Sequence, residues 1–130
     1  MKDRDLIALD GKLELYARDG RFLGLLSSRR NDPNSIVNPH TYGNPNYINS
    51  IHYQHGIYGG EYGRHSPYNR YCLCPPALVF QQQYLGIVTK NTHVLTNGLV
   101  IIDPDLIVSI YTNLSSRFAD LDTKRLAAVA

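Results

Sequence analysis

The sequence predicts a mainly β, α+β fold: two similar β-hairpins and a further strand in one small sheet or partial barrel, with a long ordered turn-rich segment and a C-terminal helical segment. Three observations predict it. Alternation of apolar and polar residues appears twice, near Leu13–Ser28 and Leu78–Thr89, each time around a turn signal. Between these stretches the alternation stops and the chain repeats itself from Ser35 to Tyr71. After them, from Asp103, apolar residues recur at helical spacing.

The first hairpin spans 13–28. Leu13, Leu15 and Ala17 alternate with Lys12, Glu14 and Tyr16, Asp19-Gly20 supplies the turn, and Phe22, Leu23, Leu25 and Leu26 continue beyond it. Gly24 inside the second strand predicts a bulge or a close backbone approach. Leu6–Leu9 is expected to add a short strand, with Asp10-Gly11 as its turn.

The segment 29–76 forbids long helices and central strands. It holds prolines at 33, 39, 45, 67, 75 and 76 and glycines at 43, 56, 59, 60 and 63. Ser35-Ile36 opens one unit, through Tyr42-Gly43 and Tyr47 to Ser50; Ser50-Ile51 opens another, through Tyr58-Gly59 and Tyr62 to Ser66. The units are 15 and 16 residues long, and eight of the ten tyrosines lie between Tyr42 and Tyr84. A linker is poor in tyrosine and isoleucine, so ordered wrapping is expected, with an aliphatic peg and two aromatic plates per unit.

The stretch 77–102 holds the second hairpin and a strand. Leu78-Val79-Phe80, a Gln81-Gln82-Gln83 tip and Tyr84–Thr89 form the hairpin; Asn97-Gly98 turns the chain into the apolar strand Leu99–Ile102. Phe22-Leu23-Gly24-Leu25-Leu26-Ser27 and Tyr84-Leu85-Gly86-Ile87-Val88-Thr89 share one order: aromatic, leucine, glycine, two aliphatics, hydroxyl. In 103–130, Asp103 caps a helix, Pro104 suits its first position, and Leu106, Ile107, Ile110 and Leu114 give it an apolar face. A second helix is expected to restart at Ser115 or Ser116, with a stripe of Phe118, Leu121, Leu126 and Val129.

At 130 residues the chain fits one domain, able to bury roughly two-thirds of its unfolded surface. Its 43% hydrophobic content argues against wholesale disorder. A net charge of +2 without a long basic run argues against nucleic acid. The charged N-terminus and the absence of an 18-residue apolar run lead to the expectation of a soluble cytoplasmic protein without a membrane span. Cys72 and Cys74, two apart, suit reduced thiols better than a strained mutual disulfide.

Read together, these residues form a pattern. Tyr16, Asp19-Gly20, Leu23-Gly24-Leu25-Leu26-Ser27-Ser28, Asp32-Pro33-Asn34-Ser35-Ile36-Val37-Asn38-Pro39, the Tyr-Gly units and Ser66-Pro67-Tyr68-Asn69 follow in order. The chain thereby resembles a group of uncharacterised bacterial proteins, many of them cyanobacterial, over about 13–91. Two features depart from that pattern: the first unit is about a residue short, and Tyr53-Gln54-His55 replaces an Asn-Pro-Tyr. The resemblance implies the architecture and no activity.

Three functions compete. Tyr58, Tyr62, Arg64, Tyr68, Arg70 and Tyr71 suit a protein interface, in which tyrosine and arginine serve as anchors. That makes a non-catalytic interaction or scaffold module the first reading, pictured as a small accessory subunit of a larger assembly, with a protein partner or self-association. His52, His55, His65, Cys72 and Cys74 offer zinc ligands or a thiol–histidine pair, the enzyme alternative, but Cys-x-Cys lacks the two-residue gap of a zinc knuckle. The same tyrosines and arginines could stack on single-stranded nucleic acid, which the low charge opposes. No cofactor is called for: no glycine pattern forms a phosphate loop, and Asp32–Ser35 lacks the acidic density of a calcium loop.

Overall fold

The computed structural model describes residues 1–129 of the chain, and side chains as far as Arg117. In chain order it contains α1 (Asp3–Ala8), β1 (Leu13–Tyr16), β2 (Phe22–Leu26), β3 (Ala77–Phe80), β4 (Gln83–Val88), β5 (Val100–Ile102) and α2 (Pro104–Val129). The strands make one open, mixed sheet in the order β2-β1-β3-β4-β5. All pairings are antiparallel except β4 with β5. β2 and β5 are its edges, so the sheet does not close into a barrel.

The recurrence seen in sequence is a recurrence in space. In the first hairpin Leu15 pairs with Gly24 and Tyr16 with Phe22, leaving Leu23 as the bulge. In the second, Leu78 pairs with Gly86 and Val79 with Tyr84, leaving Leu85 as the bulge. The halves meet where Leu15 pairs with Leu78, the point about which the two hairpins are related by an approximate twofold rotation. Each half also has a parallel neighbour on its outer side: Ser35 bridges Leu25, and β5 pairs with β4.

Positive φ at Gln81 and Gln82 (50° and 66°) makes a two-residue tip, so β4 begins at Gln83 rather than Tyr84. Asn97 and Gly98, at 52° and 87°, form the expected turn. One core joins Leu15, Leu23, Leu26 and Leu78 to Ile36 and Ile51 of the intervening segment and to Ile107 and Tyr111 of α2. Each such side chain contributes roughly 1.5–3 kcal/mol by leaving water.

Two expectations are corrected. Leu6–Leu9 is not a strand: the α1 helix runs through Ala8, opened by the Lys2 amide donating to the Asp5 carboxylate at 2.9 Å. The Leu6 side chain is buried, and its carbonyl accepts the Tyr111 hydroxyl at 2.6 Å, which fastens α1 to α2. Nor does a second helix restart at Ser115, because α2 is continuous from Pro104 to Val129. Serine weakens a helix only slightly, and nothing at this point removes a backbone donor. The stripe of Phe118, Leu121, Leu126 and Val129 lies outside the described side chains. Asp103 caps α2 as expected, accepting from the Asp105 amide at 2.9 Å, and Lys90 reaches Asp103 and Asp105 at 2.8 and 2.6 Å.

The segment between β2 and β3 is an unbroken ladder of turns. From Arg29 to Gly56 every third amide donates to the carbonyl three residues earlier, so each turn ends where the next begins. After one wider step, Gly60 to Gly56, the three-residue rhythm resumes to Cys72. That step supplies the extra residue of the second unit. Corner side chains hold the turns: Asp32, Ser35, Asn38, Asn44, Ser50, Ser66 and Asn69 each accept the amide two residues ahead.

The ladder itself coils, and bonds eight residues apart join one coil to the next. Ser35 Oγ donates to the Ser27 carbonyl at 2.6 Å, Thr41 Oγ1 to Pro33 at 2.6 Å, and Ser50 Oγ to Tyr42 at 2.7 Å. Each sequence unit is therefore two coils. Ser35-Ile36, Ser50-Ile51, Tyr58-Gly59 and Ser66-Pro67 are buried stations of the coils, and Tyr42-Gly43, on the coil between the first two, is half-buried. Among the described residues no helix is long and apolar enough to cross a membrane.

Candidate interaction surface

The aromatic residues of the two units behave differently, and the difference defines the site. In the first, Tyr16, Phe22, Tyr42 and Tyr47 form a chain of edge-on contacts with centroids 5.3, 5.2 and 5.2 Å apart. In the second, Tyr58 turns inward. Its hydroxyl donates to Asp19 Oδ2 at 2.6 Å and its ring stacks on His65 at 6.2 Å. Tyr62, which stands in its unit where Tyr47 stands, has no ring partner among the described residues and is 82% exposed.

Of the six interaction candidates, four face solvent. Tyr62, Arg64, Arg70 and Tyr71 are exposed, Tyr58 is buried, and Tyr68 is half-buried against the core. The exposed four lie on neighbouring coils, stapled by Cys72 Sγ donating to the Arg64 carbonyl at 3.1 Å and Asn69 Nδ2 donating to Gly63 at 2.9 Å. Leu73, 80% exposed, continues the patch beyond Tyr71 (81%). Arg18 borders it, with Nε donating to the Pro75 carbonyl at 3.2 Å.

A cleft of about 1250 Å³ opens beside Tyr62 and Arg64. His52, His55 and His65 line it together with Asp19 and Glu61. Asp19 is the residue that sequence reasoning assigned only to a turn. Its carboxyl is held below the ordinary range chiefly by the Tyr58 hydroxyl, with the Arg21 amide adding a bond to Oδ1 at 3.0 Å. His65 Nε2 approaches Asp19 Oδ2 at 4.0 Å, while His65 Nδ1 is buried with no hydrogen-bond partner among the described residues. Burial pushes the His52 imidazole below its usual value.

The five candidate metal ligands are not gathered into one site. His52, His55 and His65 share the cleft, whereas Cys72 is buried against Arg64 and Cys74 is exposed. Among the described residues no group of three or more His, Cys, Asp or Glu side chains is placed to hold a metal ion. Desolvation pushes the Cys72 thiol up, away from the thiolate that a nucleophile requires. No protein-family model, curated protein or solved structure matches the chain.

Proposed function

We propose that the protein is a non-catalytic interaction module that binds a protein partner through Tyr62, Arg64, Arg70, Tyr71 and Leu73. The observation that carries this reading is the departure of Tyr62 from Tyr47: an aromatic ring of the repeat left bare on a hydrogen-bonded surface. Tyrosine has few torsions, and the turn ladder beneath it fixes the backbone, so docking would order little that is loose. The residues that carry the resemblance to the bacterial group, such as Gly24, Ser35, Ile36 and Asn38, build the sheet and coil and leave the function open.

The test is capture from native extract with the wild-type chain and with Tyr62→Ala and Tyr71→Ala variants. A stoichiometric partner should be lost in both variants while amide-exchange protection of the coil stays unchanged. Capture that persists in the double variant places the surface elsewhere.

A further inference from the structure

Resting on that reading, we infer that the partner presents an acidic segment whose carboxylates pair with Arg64 and Arg70 while neighbouring aliphatic side chains cover Tyr62, Tyr71 and Leu73. Charge carries the inference. Arg64 and Arg70 lie on the coils that carry Tyr62 and Tyr71, Arg18 reaches the Pro75 carbonyl beyond Leu73, and neither Arg64 nor Arg70 takes part in an ion pair among the described residues. Opposing them are Glu61 and Asp19, and Asp19 is already engaged by the Tyr58 hydroxyl and the Arg21 amide.

Asp19 and Glu61 line the cleft with Arg64 as its one guanidinium among the described residues, so the carboxylates meet Arg64 and Arg70 at its rim rather than inside it. A carboxylate meets arginine with two parallel N–H···O bonds. A basic partner would face three guanidinium groups and leave them unpaired, which selects against it.

The probe is a short fluorescein-labelled peptide alternating aspartate with leucine, compared by anisotropy with its asparagine–leucine and lysine–leucine counterparts and with oligothymidylate. The aspartate peptide should bind about tenfold or more tightly than the asparagine peptide, more weakly as salt rises, and the lysine peptide not at all. Arg64→Glu with Arg70→Glu, exposed positions where folding is spared, should abolish that preference. Equal binding of the asparagine peptide overturns the acidic specificity and leaves the patch intact. Tighter binding of oligothymidylate overturns it in favour of a general polyanion surface. Failure of every peptide, with native capture still dependent on Tyr62, overturns the acidic pairing alone; loss of Tyr62 dependence overturns the interaction reading as well.

Discussion

Gly24 lies directly beneath Ile36: a Cβ built on the glycine would stand 2.6 Å from Ile36 Cγ2. Its φ of +133° is also one that side-chain-bearing residues avoid. Gly86 holds the equivalent place under Ile102, where the same Cβ would meet Cδ1 at 2.7 Å without a positive φ. Gly24→Ala should therefore destabilise the fold by roughly 3 kcal/mol or more, through strain and overpacking together. Gly86→Ala should cost less, since the tip of a flexible isoleucine is what must yield. Urea unfolding of the two variants checks the order; equal losses would contradict it.

Tyr58 links the coil to the tip of the first hairpin, so removing its hydroxyl tests whether that link bears on stability. Tyr58→Phe should lower stability by about 1.5 kcal/mol, the low end of the range for a hydrogen bond to a charged group, because Asp19 is exposed. The effect should depend on pH in a definite sense. Asp19 has its pKa lowered by folding, so its contribution is present above the unfolded value of 3.8 and fades as pH falls through the lower folded value. Acid unfolding of the wild type should accordingly steepen below pH 3.8, and Tyr58→Phe should make that loss smaller, so that the two proteins converge in stability as pH falls.

Much of this arrangement was legible in the sequence, for identifiable reasons. The two hairpins declared themselves through period-two alternation, and their shared order of aromatic, Leu, Gly and hydroxyl marked equivalent bulges. The coil was legible as a repeat, but its three-residue rhythm was masked. Its corners are filled by Asp, Ser, Asn, Thr, Tyr or Gly, chemically different residues that make the same backbone turn. α1 misled because four apolar or small residues in a row fit a strand as well as a helix. The site was half visible: exposure of Tyr62 and burial of Tyr58 depend on the wider turn at Gly56–Gly60, a single inserted residue. Asp19 was hidden inside its own turn signal, 39 residues from the hydroxyl it accepts.

The corner serines should carry more stability than the corner asparagines at the surface. Ser50 is fully buried, accepts the His52 amide at 2.9 Å and donates to Tyr42 at 2.7 Å. Ser50→Ala leaves a half-buried carbonyl and an amide without their partner, about 2 kcal/mol. Asn44 makes one exposed bond, to the Asn46 amide at 2.8 Å, and Asn44→Ala should cost about 0.5–1 kcal/mol. Hydrogen exchange should show faster opening from Tyr42 to Tyr53 in the first variant only.

The two cysteines should separate cleanly in reactivity. Cys74 is exposed, whereas Cys72 is buried and hydrogen-bonded to Arg64. A disulfide-exchange reagent should modify Cys74 at once and Cys72 only upon unfolding, since burial holds its thiol above the usual range. Prompt modification of both thiols in the native protein would mean that the joint between the last two coils opens readily.

High pH should unfold the protein through its tyrosines. Burial raises Tyr68 to about 12 and pushes Tyr111 higher still, because the phenolate would lose water without gaining a cation. Asp105 and Asp103 add repulsion at Tyr68, and Asp10 adds it at Tyr111. A pKa raised by folding means that the native state holds its proton where the unfolded state releases it. The contribution is complete below pH 10.0 and drains away as pH rises toward 12. The tyrosinate absorbance of Tyr68 and Tyr111 should therefore rise together with loss of circular dichroism. Tyr111→Phe keeps the ring but gives up the bond to the Leu6 carbonyl, so it should be less stable at neutral pH and lose less between pH 10 and 12.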